Sequence, residues 1–198
     1  MVSFTYEKIE KECTRGGTKM EFTQLVEARR SIRAYKEGTQ ITQEMVLDLI
    51  KIAQQAPSWK NSQTGRYYAV LTPEKVAEIK AECLPEFNQN SCKEAPALIV
   101  TTFEKKRAGF DREGNPDNEL RDEWGAYDLG LQNENLILRA KELGLDTLIM
   151  GIRDGEKLRE KLEIPESQAV VAVIAVGYGA AEAAMPKRKP VEDIVKFF

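Results

Sequence analysis

The chain has 198 residues, carries 29 Lys and Arg against 32 Asp and Glu for a net charge of −3, and contains no histidine. Without imidazole there is no Ser-His-Asp triad, no Cys-His dyad and no His-ligated zinc, so any chemistry must come from other side chains or from a cofactor. The slight acidity argues against a general nucleic-acid binder, which needs a surplus of Lys and Arg to neutralise phosphates.

A hydrophobic content of 42% is that of an ordinary globular chain, and the length predicts one domain over residues 20–198. The polar residues 1–19, with Gly16-Gly17 and a second methionine at Met20, read as an N-terminal appendage. Cys13, Cys83 and Cys92 are odd in number and lack C-x-x-C spacing, which points to neither a disulfide framework nor a zinc site and predicts a cytoplasmic setting. No window approaches the roughly 18 to 20 apolar residues of a membrane span, and the first residues lack a signal-peptide core.

In chain order, Phe22, Leu25, Val26 and Ala28 begin a helix that ends near the basic run Arg29-Arg30-Ser31-Ile32-Arg33. Thr42 is the expected N-cap of a second helix, whose stripe of Val46, Leu49, Ile50 and Ala53 stops at Ala56-Pro57. A polar loop spans residues 58–65. A strand is predicted over 66–71, a helix start at Thr72-Pro73-Glu74 and a buried strand over 97–102. Residues 104–118, charged and carrying Gly109, Gly114 and Pro116, read as a mobile loop or lid.

A long helix is predicted over 119–143, with Leu120, Trp124, Tyr127, Leu131 and Leu138 as its apolar stripe and Gly144 as its stop. A third strand over 146–150, a short helix over 157–162 and a continuous apolar strand over 169–176 complete the pattern; the tail, 186–198, is basic and then apolar. Helices and strands do not alternate strictly, so the fold class is α+β: a central mixed, mostly antiparallel sheet layered with helices.

Two segments carry the chemistry. Arg29-Arg30-Ser31-Ile32-Arg33 places three guanidiniums and a hydroxyl in five residues, a donor array matched to phosphate. Ala56-Pro57-Ser58-Trp59-Lys60-Asn61-Ser62-Gln63 offers the amides of Asn61 and Gln63, which can pair with a heterocycle edge. Taken singly, the first also reads as solvated charge completing a helix dipole and the second as turn chemistry. Trp124 reads as core, Asp128 as either a buried polar contact or a water-facing side chain, and Cys83 and Cys92 as inert thiols.

Together and in order, these segments resemble the FMN-dependent nitroreductase family from Met20 onward. The other matching pieces are Asn135 leading into Glu142-Leu143-Gly144-Leu145, then Leu148-Ile149-Met150-Gly151, Val176-Gly177-Tyr178, and Lys187-Arg188-Lys189-Pro190-Val191-Glu192-Asp193. The resemblance implies a nitroreductase-like FMN-binding fold and an intertwined homodimer with an FMN site at each subunit interface. It implies that Arg29, Arg30 and Ser31 bind the FMN phosphate and ribityl chain together with Arg188 and Lys187, and that Arg33 approaches the flavin pyrimidine. Pro57, Ser58, Asn61 and Gln63 would reach the flavin from the other subunit, and backbone around Met150 and Gly151 would face N5.

The implied activity is oxidation of NADH or NADPH and reduction of nitroaromatic, quinone or related acceptors by a ping-pong mechanism, with no catalytic protein residue and no metal. Reductive dehalogenation and ene reduction are family variants of the same chemistry. A flavin-binding or sensing protein without turnover is the reading from another class, and a plain interaction domain is a third.

Overall fold

The computed structural model describes residues 20–198; the expected appendage, 1–19, lies outside the described residues. Two local signals start the order. Helix α1 (Phe22–Ala28) opens with a capping box between Glu21 and Gln24. Helix α2 (Gln43–Ala53) opens with Thr42, whose hydroxyl accepts the Met45 N–H at 3.3 Å, as the sequence predicts.

Strand β1 (Gly65–Val70) leads through helix α3 (Pro73–Cys83, Pro at its first position) and the short helix α4 (Glu86–Ser91) to strand β2 (Ala97–Glu104). Helix α4 is absent from the sequence reading because its six residues carry no apolar period; Phe87, its one large apolar side chain, is exposed. Next come helix α5 (Glu123–Glu142), strand β3 (Asp146–Met150), helix α6 (Gly155–Leu162) and strand β4 (Gln168–Gly177).

The four strands lie in the order β1-β2-β4-β3 and every pairing between them is antiparallel. Among the described residues, the parallel component of the expected mixed sheet is a single bridge from Ser31, which lies outside the strands, to Thr147 of β3. Alternate residues face opposite sides of a strand, and both sides here are covered. Leu98, Val100, Val173 and Ala175 pack beneath α3 and α6 with Val76, Ile79 and Leu158; Ala97, Ile99, Ile174 and Val176 pack beneath α2 and α5 with Leu49, Leu136 and Ala140. Burial on both faces explains why β2 and β4 read as unbroken apolar runs.

Helix α5 begins four residues later than its pattern suggests. Asn118 Oδ1 accepts the Leu120 N–H and the Trp124 Nε1–H, Asp122 Oδ1 accepts the Lys106 N–H, and Arg121 takes φ +45°, so these polar side chains hold the approach as a loop. The helix ends as predicted. Gly144 at φ +75° lets its own N–H reach Lys141 O and the Leu145 N–H reach Ala140 O, the paired bonds of a Schellman stop.

The phase of α5 needs correction. Leu129, Leu136, Ile137 and Ala140 face the core, accompanied by buried Asp128, Gln132 and Asn133. The predicted stripe lies on the flank: Leu120 and Tyr127 are exposed and Leu131 and Leu138 half-buried. The polar side chains can be buried because they have partners: Trp59 N–H on Asp128, Tyr67 OH on Gln132, and Asn133 Nδ2–H on Thr101 Oγ1.

Candidate functional site

Where α1 ends, Arg29 turns to an extended backbone (φ −64°, ψ 128°), and the following residues run beside β3. The Ile32 N–H donates to Thr147 O at 3.0 Å, Ile32 is buried, and the chain continues to Tyr35, bridged to Gly179. Arg29, Arg30, Ser31 and Arg33 are thus fixed on a backbone strung along the sheet's outer strand, where isolated arginines on a coil would be free to spread.

These four residues line one cavity of about 200 Å³, closed on its other side by Ala183, Ala184, Pro186 and Arg188. Four guanidiniums and a hydroxyl therefore converge, although Arg188 lies far along the chain. Lys187, expected beside Arg188, does not line the cavity. Arg30 Nη1–H donates to Arg29 O at 2.6 Å and Arg33 Nη1–H to Ser31 O at 3.3 Å, which aims the forks from the backbone. Arg30 Nε is buried without a hydrogen-bond partner. Such a donor is costly to leave unpaired and well suited to an anionic acceptor.

Pro57, Ser58, Asn61 and Gln63 form a second constellation that does not line this cavity. Lys60, Asn61 and Gln63 take φ of 47°, 55° and 48°, the left-handed region, at a cost of roughly 1 kcal/mol or more each. Local bonds shape the loop: the Gln63 N–H donates to Ser58 Oγ at 3.1 Å and Gln63 Nε2–H to Asn61 Oδ1 at 3.2 Å. Longer contacts tether it. The Trp59 N–H donates to Asp128 Oδ2 at 2.8 Å, the Trp59 and Trp124 ring centroids lie 4.5 Å apart, and Lys60 pairs with Asp117 at 2.6 Å.

Trp124 is half-buried, packed between Trp59 and the exposed Tyr127 and not in the core its spacing suggests. Asp128 resolves to the buried alternative. Burial pushes its carboxyl above the usual carboxylate range, and the Trp59 N–H bond works in the opposite direction.

Met150 is buried at the end of β3 and Gly151 is exposed. The strand rise puts Gly151 about 13 Å along β3 from the Ser31 bridge. Asn88 on α4 donates from Nδ2 to Ile152 O at 2.8 Å and so fixes the chain just beyond Gly151. Neither Asn88 nor Trp59 was singled out from sequence, and nothing in their spacing marks them. Glu104, expected to open the loop, ends β2, and residues 105–118 form turns stapled by Asp111, whose Oδ1 accepts the Asn115 N–H at 2.7 Å, and by the Phe110–Pro116 bridge. Among the described residues no helix is long and apolar enough to cross a membrane, and no acidic or thiol cluster could hold a metal ion.

A family model described as the nitroreductase family matches residues 26–178, the stretch that holds the sheet, α5 and the arginine run. The chain belongs to the nitroreductase family. A protein of Archaeoglobus fulgidus provisionally named NADH dehydrogenase/NAD(P)H nitroreductase is 30% identical over 167 residues, 80% of this chain and 85% of its own. YdgI of Bacillus subtilis, provisionally named an NAD(P)H nitroreductase, is 25% identical over 205 residues, 89% and 97% of the two chains. The fold matches the crystal structure of a provisionally assigned nitroreductase of Exiguobacterium sibiricum in complex with FMN, at a TM-score of 0.81 and 23% identity, covering 92% of this chain and 99% of that one.

Proposed function

We propose that this nitroreductase-family chain is an FMN-dependent oxidoreductase that uses NADH or NADPH to reduce nitroaromatic, quinone or related acceptors by a ping-pong mechanism. The observation that carries the reading is the cavity in which Arg29, Arg30, Ser31, Arg33 and Arg188 converge. Its donor set fits a phosphate monoester, and the unpartnered buried Arg30 Nε supplies a place for one of its oxygens.

Arg29, Arg30, Ser31 and Arg188 are assigned to the phosphate and ribityl chain. Lys187, which does not line the cavity, is left with the general positive field. Arg33 is assigned to the pyrimidine side, where a fixed guanidinium offsets the negative charge that builds on reduction. Backbone at Met150 and Gly151 faces the reactive edge; Gly151 suits this because a Cβ there would meet nothing within 4 Å, leaving the backbone open to a ligand. FMN, when bound, supplies the hydride-accepting and electron-donating centre, so the protein needs no nucleophile of its own.

Pro57, Ser58, Asn61 and Gln63 are assigned to the flavin of a second copy, which makes the protein a homodimer with sites at the subunit interface. The exposed apolar side chains support this. Phe22, Leu47 and Tyr127 are 72%, 66% and 59% exposed, and the tail leaves Ile194, Phe197 and Phe198 in solvent, more apolar surface than a lone subunit keeps without use. Residues 104–118, tied to the loop through Lys60 and Asp117, are read as the lid over the acceptor pocket. Buried free Cys83 and Cys92 suit a cytoplasmic setting.

Reconstitution tests the reading. Flavin-stripped protein titrated with FMN should take up one equivalent per subunit and turn yellow, and a protein that stays colourless refutes it.

A further inference from the structure

We propose that Asp128 is the positioning residue of the loop that carries Ser58, Asn61 and Gln63: its buried carboxylate holds the Trp59 backbone and so sets the left-handed trace those side chains need. The inference rests on the FMN reading above.

Bonds inside the loop, such as Gln63 N–H to Ser58 Oγ, travel with it and cannot place it against the sheet. The Lys60–Asp117 pair is solvent-exposed on the lysine side, and such pairs contribute little. Asp128 differs on both counts. It is 2% exposed and sits on α5, a helix packed on the sheet, and its 2.8 Å bond joins residues 69 apart in sequence. A buried carboxylate is expensive unless it is hydrogen-bonded, and here the partner is the Trp59 backbone amide.

Trp124 and Asp128 are four residues apart on α5 and so project from one face of it. Both meet the same residue: Trp124 packs against the Trp59 ring, and Asp128 takes the Trp59 N–H. Ring and backbone of Trp59 are thus held together, one residue before the left-handed stretch begins at Lys60. Strained backbone persists only where its surroundings over-determine it, and this two-point clamp provides that determination.

The test compares wild type, Asp128→Ala and Asp128→Asn in the full chain. FMN affinity is measured by titration, melting temperature with and without saturating FMN, and amide hydrogen exchange in flavin-free protein. Asp128→Ala should raise the FMN Kd by about tenfold and shrink the FMN-induced rise in melting temperature. Asp128→Asn, whose amide oxygen still accepts, should recover most of the loss. In flavin-free wild type the Trp59 amide should exchange far more slowly than that of Lys60.

Wild-type affinity in Asp128→Ala overturns the proposal, as does an Asn variant no better than Ala. If Asp128→Ala does not fold, the Asn variant and the wild-type exchange pattern decide, and a fast-exchanging Trp59 amide overturns it. A wild type that takes up no FMN sinks the cofactor reading alone; slow Trp59 exchange that is lost in Asp128→Ala would still establish the anchor.

Discussion

Replacing Arg29 by alanine tests the phosphate assignment directly. Arg29 is half-buried and lines the 200 Å³ cavity with three other guanidiniums, so the substitution removes one cation of four and leaves the site formed. The backbone carbonyl that receives Arg30 Nη1–H survives the change, which keeps Arg30 in place. A hydrogen bond to a charged group contributes about 1.5 to 3 kcal/mol. Because Arg29 is partly solvated and its neighbours compensate, the lower part of that range applies. At about 1.4 kcal/mol per decade, this weakens FMN binding roughly ten- to thirtyfold. Flavin fluorescence quenching on titration into stripped protein reads the constant directly. Arg188→Ala should fall in the same range, whereas Lys187→Ala, at a residue that does not line the cavity, should cost less than about twofold. Unchanged affinity in Arg29→Ala, or a Lys187 effect equal to that of Arg188, refutes the reasoning.

Three further outcomes follow from the same structure. Asp48→Ala removes the buried partner of Arg139, whose Nε–Oδ2 distance is 2.7 Å, while Glu142 still pairs with that arginine; a loss of about 2 kcal/mol should lower the melting temperature by about 4 to 8 °C in calorimetry, and a drop below about 1 °C contradicts it. Cys83 and Cys92 are buried and their thiols pushed above the usual range by that burial, so a disulfide reagent at neutral pH should leave both unmodified in native protein and label them in denaturant; prompt native labelling of either contradicts the burial. Asp128, with its native carboxyl raised, binds its proton more readily folded than unfolded; its contribution to stability therefore falls as pH rises from the unfolded value of about 3.9 through the raised native value, and Asp128→Asn should be free of that decline. Urea midpoints of the two proteins that stay parallel across this range refute it.

Much of this architecture was legible from local signals. Thr42, Pro73 and Gly144 mark helix ends by chemistry confined to a few residues, and β2 and β4 are apolar runs whose two buried faces need no alternation. The face of α5 was not legible, because burial there follows partners distant in sequence: Asp128, Gln132 and Asn133 lie inward since Trp59, Tyr67 and Thr101 receive them. Of the apolar side chains displaced to the flank, the exposed Tyr127 is among those assigned to a second copy. At the site, the density of arginine in residues 29–33 shows the chemistry of the pocket without its closure. Arg188 arrives from the tail, and no spacing rule links it to Arg29. The left-handed trace at Lys60 and Gln63 was equally hidden, because neither residue type favours that conformation and the clamp that imposes it lies on α5.

The central claim is that four arginines hold a flavin which then cycles between a nicotinamide and an acceptor. Protein loaded with FMN, mixed anaerobically with NADH or NADPH, should lose its yellow absorbance, and should regain it when a quinone or nitroaromatic is added after the nicotinamide has been removed. Flavin that stays oxidised with both nicotinamides, while remaining bound, contradicts the account.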